Sequence, residues 1–141
     1  MTTIEKNKAI AHRLFEEVSA NKNLAVIDEI IDQNITVRGA RGSIVSSRDE
    51  YKQFIVSLHE AFPDVKHTVE ELIAEGDKVM VRWRWRGTHQ GTYVGIDATG
   101  KYADFQGITI LKIVSGKIVE DWVQADVRSF LEQVGVVSRA V

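Results

Sequence analysis

The hydrophobic pattern of this chain changes its period once, near Lys66. Before that point apolar residues recur at every third or fourth position, which is the spacing of a helix with one buried face. Beyond it apolar and polar residues alternate, which is the spacing of a β-strand with one buried face. Helices followed by a run of strands predict an α+β domain, in which the helices pack on one face of an antiparallel sheet.

Three helices and one short strand are predicted before the change of period. The helical stripes cover residues 4–20, 24–31 and 51–62. Residues 35–38 alternate as a short strand, and the glycine-rich segment 39–42 is predicted to be a loop. The only proline, Pro63, ends the third helix, because proline lacks the backbone N–H that a helix needs to continue.

The clearest strand covers residues 78–87, where large apolar residues alternate with three arginines. Trp83 and Trp85 fall on one face, which is predicted to be buried, and the arginine stems cover the other face. A core role suits both tryptophans, although indoles lining a cavity would also suit a flat aromatic ligand. The remaining predicted elements are strands at 67–74, 104–114 and 116–126 and a helix at 127–136.

The strand that follows the Ser115-Gly116 turn is unusual, because it mixes carboxylates with apolar residues. Alternation places Asp121 between two valines on one face and Glu120 beside Trp122 on the other. Whichever face is inward, it therefore carries an acid into apolar surroundings.

Composition narrows the classes of function. A net charge of −2, with acids and bases interspersed, gives no basis for binding nucleic acid or an anionic membrane. The chain has no cysteine, which excludes disulfides and thiol chemistry and suits the cytoplasm. No signal peptide, membrane-spanning run or zinc-binding histidine pair is recognisable. We therefore expect a single cytoplasmic domain over residues 1–141, with no metal site.

Several short motifs follow one another along most of the chain. They include Ala61-Phe62-Pro63-Asp64, Glu71-Leu72-Ile73-Ala74-Glu75-Gly76-Asp77, Gly87-Thr88-His89-Gln90-Gly91, Gly116-Lys117-Ile118-Val119-Glu120 and Leu131-Glu132-Gln133-Val134-Gly135-Val136. In their order and spacing they resemble the SnoaL-like polyketide cyclases, within the NTF2-like (cystatin-like cone) superfamily. This resemblance implies a cone in which N-terminal helices pack on a strongly curved antiparallel sheet that encloses a cavity.

The resemblance also implies a function. The family's cyclases are homodimers that work without a metal or organic cofactor. They close a polyketide ring by intramolecular aldol condensation, using an aspartate as acid/base with help from a histidine. A small hydrophobic or aromatic ligand in the cavity is the expected partner, with neither nucleic acid nor membrane involved.

This sequence departs from the family at the positions that carry the chemistry. When the chains are aligned on Gly116, the cyclase aspartate falls at Val123 and the assisting histidine at Thr109. If Val123 faces the cavity, as the resemblance implies, then Asp121 faces it too, and apolar surroundings would raise its pKa into a useful range. Asp121 is therefore the predicted catalytic residue. A solvated carboxylate or an ion-pair partner is the structural alternative.

Two functions stay open at this point. The first is a cofactor-free enzyme that catalyses aldol cyclisation or isomerisation of a small hydrophobic cyclic substrate. The second is a non-catalytic module for ligand binding or dimerisation. Asp126 is predicted to cap the last helix, and His12, His59 and His67 to lie on element surfaces. The predicted substrate-binding residues are Trp83, Trp85, His89, Thr109, Val123, Tyr51 and Arg38.

Overall fold

The computed structural model describes residues 1–39 and 42–138. Four α-helices and one π-helix pack against one face of a six-stranded sheet, which confirms the predicted α+β fold. The helices are α1 (Thr3–Arg13), the π-helix (Leu14–Ala20), α2 (Ala25–Ile30), α3 (Arg48–Ala61) and α4 (Val127–Gln133). The strands are β1 (Ile31–Gly39), β2 (Gly42–Val45), β3 (Lys66–Glu75), β4 (Lys78–Thr88), β5 (Tyr102–Val114) and β6 (Lys117–Ala125).

The sheet is mixed, and its strand order is β2-β1-β6-β5-β4-β3. Neighbouring strands are antiparallel except β1 and β6, which run parallel, so the expectation of a wholly antiparallel sheet is corrected at this one pair. Tight turns join β3 to β4 and β5 to β6, and such turns force an antiparallel arrangement. The first and sixth strands are far apart in sequence, and the sequence pattern of β1 does not set its direction.

The first predicted helix is two elements. A capping box between Thr2 and Glu5 starts α1, and the helix then widens into the π-helix, which buries Leu14, Phe15, Val18 and Ser19. A π-helix carries more residues in each turn than an α-helix, which changes the side chains that face the core. No helix in the described part of the chain is long and apolar enough to cross a membrane.

The segment between the second and third helices differs from the prediction. β1 covers residues 31–39 rather than 35–38, and β2, which was not predicted, pairs with it. Of the predicted loop at 39–42, Gly39 ends β1 and Gly42 begins β2, while positions 40 and 41 lie outside the described residues.

A β-bulge in β3 decides which of its residues face inward. From the tight turn, Glu75 pairs with Lys78, and a regular ladder would place His67 opposite Arg86 on the outer face. The register shifts between Val69 and Glu71, so His67 pairs with Trp85 instead. Because side chains alternate along a strand, a shift of one residue turns His67 to the inner face.

Candidate functional site

The inner pocket is a concave space between the inner face of the sheet and the helices. Its volume is about 600 Å³, within the range of small-molecule sites. Its lining is mostly apolar and comes from the π-helix, α3 and strands β1 and β3–β6. Apolar side chains that define it include Leu14, Phe15, Phe54, Leu58, Trp83 and Phe105.

Asp121 is a carboxylic acid in this apolar lining. Its cross-strand neighbours are Val37 on β1 and Leu111 on β5, and only 8% of its surface is exposed. Burial raises the pKa of Asp121 to about 7, because a low-dielectric environment disfavours the charged form. Its Oδ1 atom has no hydrogen-bond partner among the described residues. Near neutral pH the group can therefore both take and return a proton.

Tyr51 on α3 lines the pocket and lies close enough to Asp121 to respond to its charge. Burial, and then the Asp121 carboxylate, raise the pKa of Tyr51 well above its usual value. The phenol therefore stays protonated and can act as a hydrogen-bond donor.

Val123 and Thr109 also line the pocket, two residues along their strands from Asp121 and Leu111. They pair directly across β5 and β6, so the two positions at which the resemblance implies a histidine and an aspartate are cross-strand neighbours. Thr109 accepts a hydrogen bond of 3.0 Å from Trp83 Nε1. The Trp83 ring lies over Gly107, where any Cβ would overlap it, so glycine at this position makes room for the indole.

A second polar group lies in the pocket, at the ends of β3 and β4. His67 Nδ1 is 2.5 Å from Ser19 Oγ on the π-helix, and the centre of the imidazole is 4.8 Å from that of the Trp85 ring. Burial, and then the nearby His59, lower the pKa of His67 to about 3, so the ring is neutral at physiological pH. Neither His67 Nε2 nor Trp85 Nε1 has a hydrogen-bond partner among the described residues, and both atoms are buried.

Sequence reasoning missed Ser19 and misplaced His67. His67 was expected on a strand surface, but the bulge turns it inward. His59, expected on a helix surface, is half-buried there, and its Nε2 lies 2.9 Å from the backbone oxygen of Ser19. No residue type in β3 marks the bulge. The one available signal for His67 is that its strand pairs with β4, the strand that carries Trp83 and Trp85.

Two predicted ligand contacts are not in the pocket. Arg38 faces outward, because its neighbour Val37 faces inward, and its guanidinium lies 5.4 Å from the centre of the Trp122 ring. His89 is fully buried rather than at the pocket edge. Its Nδ1 lies 3.0 Å from Thr99 Oγ1, and its ring packs against Phe130. Beyond the end of β4, the backbone of His89 still forms hydrogen bonds with Gly100 and Lys101. This pairing holds the imidazole in the interior of the protein.

The pocket lining also includes residues near the start of α4. Asp126 accepts a hydrogen bond of 3.0 Å from the backbone N–H of Ser129, which confirms the predicted cap. Arg128 also lines the pocket and pairs with Glu132. Within residues 1–39 and 42–138, no group of three or more His, Cys, Asp or Glu side chains is placed to hold a metal ion.

The placement of the predicted residues is therefore uneven. The pocket brings together Asp121, Tyr51, Trp83, Trp85, Thr109 and Val123. It leaves out Arg38 and His89, and it adds Ser19 and His67. The roles of all these residues stay predictions.

Comparison with known proteins gives one family match. A family model described as SnoaL-like polyketide cyclase matches residues 9–134. A search of curated proteins returned no match.

Solved structures share the fold along nearly the whole chain. A candidate SnoaL-like polyketide cyclase from Jannaschia sp. CCS1 is 21% identical, with a TM-score of 0.87 over 97% of each chain. AclR, a candidate hydroxylase from Streptomyces galilaeus, is 26% identical, with a TM-score of 0.84 over 99% of this chain and 87% of that one. A candidate polyketide cyclase from Acidithiobacillus ferrooxidans is 26% identical, with a TM-score of 0.80 over 95% of this chain and 97% of that one.

Proposed function

The chain belongs to the SnoaL-like polyketide cyclase family, and we propose that it is a cofactor-independent enzyme that moves a proton on a small hydrophobic cyclic ligand in the inner pocket. The observation that carries this proposal is Asp121, a carboxyl group buried among apolar side chains with its pKa raised to about 7. Such a group is matched to proton transfer near neutral pH.

The proposed step begins at a carbon next to a carbonyl group of the ligand. The Asp121 carboxylate takes a proton from this carbon, and the C–H electron pair forms the carbon–carbon double bond of an enolate. In aldol cyclisation the enolate carbon then attacks a second carbonyl carbon of the same molecule, and Asp121 returns the proton to the new alkoxide. In isomerisation Asp121 returns the proton to a different carbon of the conjugated system.

The alternative is a non-catalytic module that holds a hydrophobic ligand. Val123 and Thr109 favour it, because neither side chain can replace the aspartate and histidine expected at those positions. The names of the similar structures do not decide which reaction occurs, since a candidate cyclase and a candidate hydroxylase share this fold at the same identity.

A deuterium-exchange experiment tests the proposal without knowledge of the natural substrate. The probe is β-tetralone, a bicyclic ketone with acidic hydrogens beside its carbonyl. We expect the protein to accelerate uptake of deuterium at these positions in heavy water, as followed by proton NMR. Asp121→Asn should lose this acceleration. The matched control is Glu120→Gln, which neutralises the next carboxylate along the strand, on the outer face, and should exchange at the wild-type rate.

Two results contradict the enzyme proposal. One is wild-type protein that binds β-tetralone saturably without accelerating exchange, which supports the non-catalytic module. The other is Asp121→Asn protein that exchanges as fast as wild type, which removes Asp121 from the step.

We also propose that two copies of the chain associate through the outer face of the sheet. Ile73, Met80, Ile110 and Trp122 pair in one line across β3, β4, β5 and β6, and the two isoleucines and the tryptophan are exposed. Charges of both signs flank this line, including the pair formed by Arg82 and Glu71. A two-fold axis would bring the apolar row of one copy against the same row of the other copy. Sedimentation at micromolar concentration should give a dimer mass for the wild type and a monomer mass for Trp122→Lys. A wild-type monomer would contradict the proposal.

A further inference from the structure

We propose that His67 and Trp85 form a paired hydrogen-bond donor site for an acceptor oxygen of the ligand, at the end of the inner pocket remote from Asp121. This inference rests on the proposed function only for the presence of a ligand in the pocket. The donor site itself is argued from the two side chains and their neighbours.

The tautomer of His67 follows from its one polar neighbour. The imidazole is neutral, so only one of its nitrogens carries a hydrogen. The described residues offer the Ser19 hydroxyl no acceptor other than His67 Nδ1, 2.5 Å away. The arrangement that satisfies both groups is therefore a Ser19 O–H donating to Nδ1. The hydrogen of the ring is then on Nε2, which is left as a free N–H donor.

Trp85 supplies the second donor. An indole N–H can only donate, and Trp85 Nε1 is buried without an acceptor among the described residues. The two residues are cross-strand partners, with their ring centres 4.8 Å apart and their ring planes at 67°. A buried donor left unpaired costs free energy, and a ligand oxygen that reached these two neighbouring N–H groups would remove that cost.

Trp83 lies in the same pocket, and its indole N–H does have a hydrogen-bond acceptor. Its Nε1 donates to Thr109 at 3.0 Å, although the ring packs against His67 as the Trp85 ring does. The absence of an acceptor at Trp85 is therefore a property of this position rather than of the strand.

The position of the donor pair restricts the ligand. In the sheet Asp121 is in line with Leu111 and Val79, and Trp85 lies six residues further along β4 than Val79. Six residues of extended strand cover roughly 20 Å. A single carbonyl group therefore does not serve both ends. The substrate class is a compound with an apolar, ring-containing body, a reacting carbon at the Asp121 end and a carbonyl or ether oxygen at the His67 end.

A matched pair of ligands tests the donor site. Fluorenone is a flat tricyclic ketone with no hydrogen beside its carbonyl, and fluorene is the same skeleton without the oxygen. In a pocket without free donors the hydrocarbon binds more tightly, because the ketone loses its hydrogen bonds to water. We expect the wild-type protein to prefer the ketone, measured as the ratio of the two dissociation constants in fluorescence or calorimetric titrations.

The variants assign that preference to the two residues. We expect His67→Phe and Trp85→Phe each to reduce the ratio about fivefold, the effect of one hydrogen bond of about 1 kcal/mol. Ser19→Ala, which removes the hydrogen bond that fixes the tautomer of His67, should reduce the ratio less. The matched control is Trp122→Phe, which removes an indole N–H on the outer face of the sheet, away from the pocket, and should keep the ratio. Near-ultraviolet circular dichroism confirms that each variant keeps its packed core.

Three outcomes would overturn the inference. They are wild-type protein that binds fluorene as tightly as fluorenone, wild-type protein that binds neither compound, and a ketone preference that survives in both His67→Phe and Trp85→Phe. Asp121→Asn separates this inference from the proposed function. A variant that loses deuterium exchange but keeps the ketone preference supports both, and wild-type protein with the preference but no exchange contradicts the enzyme proposal alone.

Discussion

The two polar ends of the inner pocket respond to burial in opposite directions. At the β6 end, burial raises the pKa of the Asp121 carboxyl to about 7. At the β3 end, burial lowers the pKa of the His67 imidazole to about 3. Both shifts favour the neutral form, because a charge is poorly solvated in apolar surroundings. Only Asp121 moves into the range where protons exchange at physiological pH, whereas His67 becomes a fixed neutral donor.

This contrast shows that the resting ionisation of a buried group decides whether it can exchange a proton near pH 7. The His67 imidazole cannot serve as a base that cycles near pH 7, whereas the Asp121 carboxyl can. The hydrogen bond from Ser19 further fixes the imidazole, while Asp121 Oδ1 has no partner among the described residues.

The largest expected effect is on the pH profile of exchange. If Asp121 is the base, the β-tetralone exchange rate follows its ionised fraction, rising about tenfold per pH unit below about pH 7 and levelling above it. His67→Phe should leave the midpoint unchanged, since His67 is neutral throughout this range. A midpoint that moves in His67→Phe would contradict the division of roles.

The next effect is on stability. The folded pKa of Asp121 is raised from 3.8 to about 7, so between these values the folded protein binds more protons than the unfolded chain. Stability from this group is therefore lost as pH rises through that window, on the order of 4 kcal/mol in total. Urea unfolding at several pH values should show this loss in wild type and not in Asp121→Asn. Parallel profiles for the two proteins would argue that the carboxyl is solvated.

A smaller effect is expected between the two ends, at Gly107. A Cβ at this position would overlap the Trp83 ring, so Gly107→Ala should displace the indole and break its bond to Thr109. Overpacking of this kind costs about 1–3 kcal/mol. The control is Gln106→Ala, an exposed neighbour on the same strand, and urea unfolding compares the two. Equal stabilities would mean that Trp83 does not occupy this space.

The smallest effect is at Ser19. Ser19→Ala removes the hydroxyl bonded to His67 and should cost about 1 kcal/mol, whereas Ser57→Ala, which removes an exposed hydroxyl, should cost less. Nitrogen-15 NMR of the imidazole provides the sharper readout. Wild type should show the Nε2–H tautomer of His67, and Ser19→Ala a mixture. A protonated Nδ1 in wild type would count against the donor site.

The sequence predicted the Asp121 end of the pocket well. Alternation is regular from Glu120 to Gln124, and the resemblance supplied the inward face through Val123. Earlier in β6 the register shifts at Val119, so Ile118 rather than Val119 shares the inner face with Asp121. In β1 the same alternation places Arg38 on the outer face, because its neighbour Val37 lies beside Asp121 and faces inward. That conclusion needs the pairing of β1 with β6, which the structure supplies.

The His67 end was not predictable in the same way. Its geometry depends on a bulge in β3 and on a π-helix, and each inserts a residue that shifts the pattern by one position. Neither irregularity changes the composition of its segment. The pairing of β1 with β6 is likewise a long-range contact that no local pattern encodes.

The most direct measurement is the titration of the Asp121 carboxyl itself, by carbon-13 NMR of protein labelled at its aspartate side chains. The Asp121 signal is identified by its loss in Asp121→Asn. A buried carboxyl with no partner should titrate with a midpoint at about pH 7. A midpoint near the ordinary aspartate value of about 3.9 would contradict the account, since Asp121 would then be a solvated carboxylate and a weak base at neutral pH.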